Sequence, residues 1–133
     1  MVNKNFLNQL KKLKIPLTQY AIFGSGPMAA RNIRDCRDLD IVVTDSQFKK
    51  LLADYPETKP GNIRFGNGIE IWSEKESLLN NPGRVIARAD TIDGFRYISL
   101  DDLLIWKKKM GRPKDLKDIE LINKYIACNS SHK

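Results

Sequence analysis

Two aspartates, Asp38 and Asp40, stand two positions apart at the head of the apolar run formed by Leu39, Ile41, Val42 and Val43. In an extended chain alternate side chains leave the same face, which sets these carboxylates about 6 to 7 Å apart along one side of a strand. Acids carried into a core are costly unless a charge shares their environment. A hard cation meets that need, because Mg2+ binds through one or two carboxylates together with phosphate oxygens. A surface ion pair of Asp38 with Arg34 or Arg37 is the competing use of the same residues. Upstream, Gly24-Ser25-Gly26 ends an apolar run and Pro27 follows it. Glycine lets a bulky anion approach the backbone, the Ser25 hydroxyl is a donor, and a helix N-terminus favours phosphate oxygens. Arg31, Arg34 and Arg37 can neutralise a phosphate chain. Gly-Ser-Gly alone marks an ordinary turn; its combination with an acid-hydrophobe-acid strand twelve residues on is much more specific.

These residues need a scaffold, and the hydrophobic pattern supplies one. Phe6, Leu7, Leu10 and Leu13 recur at helical spacing, predicting a helix that ends before Pro16. The β-prone segment 18–25 reads as a strand, 27–34 as a helix opened by Pro27, and 38–43 as a second, buried strand. Residues 45–55 predict a helix capped by Asp45 or Ser46, with Phe48, Leu51 and Leu52 inward. The runs 62–65 and 68–72 flank Gly66-Asn67-Gly68 as a hairpin. A short helix is expected over 73–80, then strands at 84–90 and 94–100 joined across Asp93-Gly94. Asp101 or Asp102 opens a helix to about Lys109, Gly111 ends it, and Pro113 starts the last helix with Leu116, Ile119, Ile122 and Ile126 inward. The expected fold is α+β: a small mixed sheet of four to six strands flanked by about five helices, in one domain with its core over about 18–98, a helical segment over about 100–128 and an unstructured tail at 129–133.

Phe23-Gly24-Ser25 and Asp38-Leu39-Asp40-Ile41, with the spacer between them, resemble the core signature of the DNA polymerase β-like nucleotidyltransferase superfamily, above all its minimal members related to antibiotic nucleotidyltransferases. The segment from Leu104 to Ile122, with Lys107 and the run from Gly111 to Ile119, is similar to a C-terminal signature common in small members. The resemblance implies transfer of a nucleoside monophosphate from a nucleoside triphosphate to a hydroxyl acceptor, with one or two Mg2+ ions on Asp38 and Asp40. It also implies a third carboxylate on a neighbouring strand. Glu70, an acid between apolar residues in a predicted strand, is the best match, and Glu74 is the fallback; a solvated edge-strand position is the other reading of Glu70. Gly24, Ser25, Gly26, Arg34, Arg37 and Lys107 are the expected nucleotide contacts. Lys107 can reach phosphate; alternatively Asp115 and Asp118 tie Arg112 and Lys114 into a structural joint. Trp72, Trp106, Phe95 and Tyr97 read as core aromatics, with base stacking as the alternative. By the same resemblance, an antitoxin-like or inactive nucleotide-binding subunit beside a partner protein, or a homodimer, is a second expectation.

Composition narrows the field. The chain has 133 residues, is 41% hydrophobic and carries a formal charge of +7, which suits anionic partners: nucleotides, nucleic acid or an acidic protein. The amphipathic N-terminus has no apolar signal segment and no run is long enough to span a bilayer, so a cytoplasmic location without membrane contact is expected. Cys36 and Cys128 suggest no disulfide framework, and the single histidine, His132, poorly supplies zinc or imidazole chemistry. A basic nucleic-acid-binding domain is the remaining alternative, weakened by the lack of a recognisable binding motif. Small molecule, protein and RNA all stay open as the hydroxyl acceptor.

Overall fold

A computed structural model describes residues 2–130. Among these, six strands form one mixed sheet and six helices pack on its two faces. In chain order the elements are α1 (Lys4–Lys12), β1 (Tyr20–Phe23), α2 (Gly26–Ala30), β2 (Leu39–Val43), α3 (Asp45–Leu52), β3 (Asn62–Phe65), β4 (Ile69–Trp72), α4 (Pro82–Ala87), β5 (Asp90–Ile92), β6 (Phe95–Tyr97), α5 (Leu100–Met110) and α6 (Pro113–Ser130). The strand order is β3-β4-β2-β1-β6-β5. β1 runs antiparallel to β2 and parallel to β6, while β2 and β4 run parallel.

Alternation along the strands divides the core in two. Tyr20, Ile22, Leu39, Ile41, Val43, Ile63, Ile69 and Ile71 point to one face, where α1 and α3 bring Leu10, Leu13, Phe48 and Leu51. Ala21, Phe23 and Val42 point to the other, where α4, α5 and α6 bring Val85, Ile86, Leu103, Trp106 and Ile122. A strand with apolar residues on both faces belongs in the middle of a sheet covered on both sides, and β1 and β2 take that place.

Several local expectations are corrected. The second helix is five residues long, not eight. Asn32 adopts φ 58°, and the Asn32 and Ile33 N–H groups bond back to Ala29 and Met28. That is a Schellman end, which asparagine tolerates better than most residues. Arg34 is thereby released into a loop. Thr44 caps α3, its Oγ1 accepting from the Gln47 N–H, and Leu52 of that helix is exposed. Residues 73–80 form turns, and the helix comes later as α4, where β-branched Val85 and Ile86 are buried against the second face after a Pro82 start. Packing outweighs β-propensity there. Ser99, not an aspartate, caps α5. The inner stripe of α6 begins with Asp115 and Asp118, and Leu116 is exposed. Of the expected tail, Asn129 and Ser130 continue α6, and 131–133 lie outside the described residues. Among the described residues no helix is long and apolar enough to cross a membrane.

Candidate functional site

Register builds the site. Phe23 of β1 stands beside Asp40 of β2, Asp40 beside Glu70 of β4, and Glu70 beside Arg64 of β3, so these four form one row across the sheet. Paired residues share a face, and here it is the second face, whose β3–β4 end lies beyond the helical cover. Asp38 precedes the first residue of β2 and is exposed, and the Leu39 N–H donates to Gly68 O at 2.8 Å. Asp38 is thus in the bend that enters the strand, where the preceding polar link is still unpaired with β4, and not in the strand itself.

Gly24 closes the row at the end of β1. Its φ is +70°, and a Cβ placed on it would stand 2.9 Å from Asp40 Oδ2. Both facts demand glycine, the first for backbone conformation and the second for close approach to the carboxylate. Gly26 has a different reason: a Cβ there would meet Ile22 Cγ2 at 2.4 Å, so this glycine lets α2 sit on β1 and does not face the site.

A cavity of about 300 Å3 gathers Gly24, Ser25, Arg34, Asp38, Asp40, Glu70 and Lys107. These are seven of the nine residues expected from the sequence; Gly26 is packed away and Arg37 is exposed outside the lining. Trp72, Trp106, Arg112, Lys114 and Asp118 complete the wall. Arg31 is turned elsewhere, to Pro27 O and Asp90. Glu74 accepts from the Asp45 N–H and plays no part in the cavity.

The cations are held by helix α6. Asp118 accepts Arg34 Nε at 2.7 Å and a second Arg34 nitrogen at 2.9 Å, and also Lys107 Nζ at 2.9 Å. Arg34 in turn donates to Ser25 Oγ at 2.7 Å. Asp115 receives Arg112 Nε at 2.6 Å and Lys107 Nζ at 3.5 Å. Lys107, Asp115 and Asp118 are all buried, so Lys107 serves a joint between α5 and α6 as well as lining the cavity. Burial alone raises the pKa of Asp118, but hydrogen bonds from Arg34 and Lys107 more than reverse this and hold it below the ordinary carboxylate value. The i,i+3 pair Asp115 and Asp118, following Lys107, was the available signal for this cluster.

Asp40 is shifted the other way. Burial, with the charges of Asp38 and Glu70 behind it, pushes its pKa up to about 6, against the Trp72 hydrogen bond and Lys114. That bond runs from Trp72 Nε1 to Asp40 Oδ1 at 3.1 Å. Glu70 has looser company: Asn62 Nδ2 at 3.5 Å and Arg64 Nε at 3.6 Å. Cys36 is half-buried with its thiol pushed up by burial, which leaves little thiolate for nucleophilic work.

Among the described residues no three His, Cys, Asp or Glu side chains converge closely enough, as they stand, to form a metal-holding group. Mg2+ asks less than that, since it keeps several waters and takes one or two protein carboxylates. The donor set at Asp38, Asp40 and Glu70 is all hard oxygen, the preference of Mg2+ and not of zinc or copper. The residues fit that ion. No protein-family model matches the chain, and no curated protein matches it either.

Proposed function

We propose that this chain is a Mg2+-dependent nucleotidyltransferase of the polymerase β-like kind, moving a nucleoside monophosphate from a nucleoside triphosphate to a hydroxyl. The observation that carries the reading is the single cavity in which Gly24, Ser25, Asp38, Asp40 and Glu70 meet four cationic side chains. Arg34, Lys107, Arg112 and Lys114 are matched there by Asp38, Asp40, Glu70 and Asp118, so the lining carries no net charge at neutral pH. A polyanion gains little from such a wall unless divalent ions accompany it. Asp38 and Asp40, with Glu70, would hold Mg2+, which supplies charge neutralisation at the reacting phosphate and its oxygens.

The chain's own groups do the rest. Ser25 Oγ and Arg34 face the outgoing pyrophosphate, and Arg112 and Lys114 offset its charge. The acceptor oxygen bonds to the α-phosphorus as the α–β phosphoanhydride bond breaks, and Glu70 takes the acceptor proton. An adjoining depression, which shares Asp38 and Glu70 and is lined by Arg64 and the Gly66-Asn67-Gly68 turn, gives the acceptor its approach. Positioning and charge are the main contributions, consistent with a cavity wall that, among the described residues, has no histidine or cysteine.

The test is thermal unfolding with ATP, GTP, CTP or UTP, each with and without Mg2+, on the wild type and on Asp40→Asn. A nucleotide at 100 times its dissociation constant stabilises by about 2.7 kcal/mol. Mg2+-dependent stabilisation by at least one nucleotide is expected for the wild type and not for Asp40→Asn; equal stabilisation of both sinks the site. A second reading, nucleotide binding without transfer, draws on Glu70 being engaged by Arg64 and Asn62. It predicts the same stabilisation with no pyrophosphate release from the nucleotide, whatever acceptor is supplied.

A further inference from the structure

The four aromatics that the sequence leaves open as core or stacking residues part company in the fold. Phe95, Tyr97 and Trp106 are buried, and Trp106 is locked by its Nε1 donating to Ser77 O and by an edge-to-face contact with Phe23. Trp72 alone is half-exposed. It lies two residues beyond Glu70 on the same face of β4 and lines the cavity with the acids. Its indole N–H is committed to Asp40 Oδ1, which fixes the ring beside the carboxylates while leaving its π-faces out of that bond. Over the ring stands Lys59 Nζ, 5.0 Å from the centroid, on an exposed and flexible side chain. Lys59 is itself exposed, and an exposed cation–π contact is weak enough to yield to a better occupant.

We propose that Trp72 is the base platform of the nucleotide site, stacking the nucleobase whose phosphates lie along Gly24, Ser25 and Arg34; this rests on the nucleotidyltransferase reading given above. The indole has one edge at the acid that faces the α-phosphate, so the base reaches it from the same cavity. Recognition through a π-face is tolerant of base identity, because every base has one. The site therefore takes purine and pyrimidine nucleotides alike, with purines ahead through their larger ring area.

The experiment compares Mg2+-ATP with Mg2+-tripolyphosphate, which has the phosphates and no base, by calorimetry on the wild type, Trp72→Leu and Trp72→Phe. Loss of the bond to Asp40 affects both ligands, so the change in the ratio of their dissociation constants between variants isolates what Trp72 contributes to holding the nucleoside. The wild type is expected to prefer ATP. Trp72→Leu lowers that preference roughly tenfold, and Trp72→Phe, which keeps a ring but not the N–H, restores most of it. An unchanged ratio in Trp72→Leu, or equal binding of the two ligands by the wild type, overturns the platform while leaving the phosphate site standing. Failure of both ligands to bind the wild type overturns the nucleotidyltransferase reading itself, and the platform with it.

Discussion

At the scale of single residues the site turns on Asp40. Its folded pKa of about 6 lies above the ordinary 3.8. Between those values the folded chain holds a proton that the unfolded chain has released. Stability is fully present below 3.8 and is lost as the pH rises through about 6. Each unit is worth about 1.4 kcal/mol, so the ionised acid costs the metal-free fold up to about 3 kcal/mol at neutral pH. Asparagine keeps an oxygen for the Trp72 N–H and carries no charge. Denaturant unfolding in a chelator should therefore find Asp40→Asn more stable than the wild type by about 2 kcal/mol at pH 7.5, with the difference vanishing near pH 4. A difference that does not depend on pH would remove the strain assigned to Asp40. A buried acid in a cleft whose pKa is pushed up by burial and by neighbouring carboxylates is the kind of residue that marks a candidate ligand site.

At the scale of elements, α6 is an anchor for charge. Asp118 joins it to Arg34 in the loop after α2 and to Lys107 of α5. Removing one partner from a buried cluster strands the others, and typically costs 3–5 kcal/mol. Asp118→Ala is expected to lower stability by about 3 kcal/mol and to weaken Mg2+-nucleotide binding, since Arg34 loses the carboxylate that holds it toward Ser25. Loss of stability with unaltered nucleotide affinity would confine Asp118 to a structural role. The depressed acids Asp115 and Asp118 set a second pH window, of opposite sign to that of Asp40. Their stabilisation is present above the ordinary carboxylate value and is lost as the pH falls below it.

For the whole molecule, the net charge of +7 is not the site's charge. The exposed Lys12 ends α1 and the exposed Lys14 follows it; this helix covers the first face, whereas the cavity opens on the second. Exposed charges separated by more than about 8 Å are largely screened at physiological salt. The double change Lys12→Glu, Lys14→Glu should leave the nucleotide-induced stabilisation within about 0.5 kcal/mol of wild type, while weakening any salt-sensitive binding to RNA or DNA. If nucleotide stabilisation instead collapses with these lysines, the anion site is on the α1 face and the cavity is not where the nucleotide binds.

Much of this was legible along the chain, because the determining interactions are local. Gly24-Ser25 at a strand end, Asp40 within an apolar strand and the apolar periods of α1, β1 and β2 follow from backbone sterics and side-chain alternation, whereas Asp38 falls in the bend before β2. The α+β class that these elements add up to follows in the same way. The helix over Pro82–Ala87 was not legible, since Val85 and Ile86 suit a strand and turn helical only against the second core. Nor was the fate of the cations. Spacing allowed Lys107, Arg34 and Arg37 equally to face a phosphate, and tertiary packing buried the first, clamped the second on Asp118 and left the third outside. The pairing of Asp40 with Glu70 depends on parallel strands 30 residues apart in sequence, and the contrast between the two indoles on burial, since Trp106 of α5 is turned into the second core and Trp72 is only partly covered by it. Sequence by itself determined which residues can carry charge and turn the chain; the sheet order and the helical layer above it decided which of them share one cavity, because only long-range burial distinguishes side chains of like chemistry.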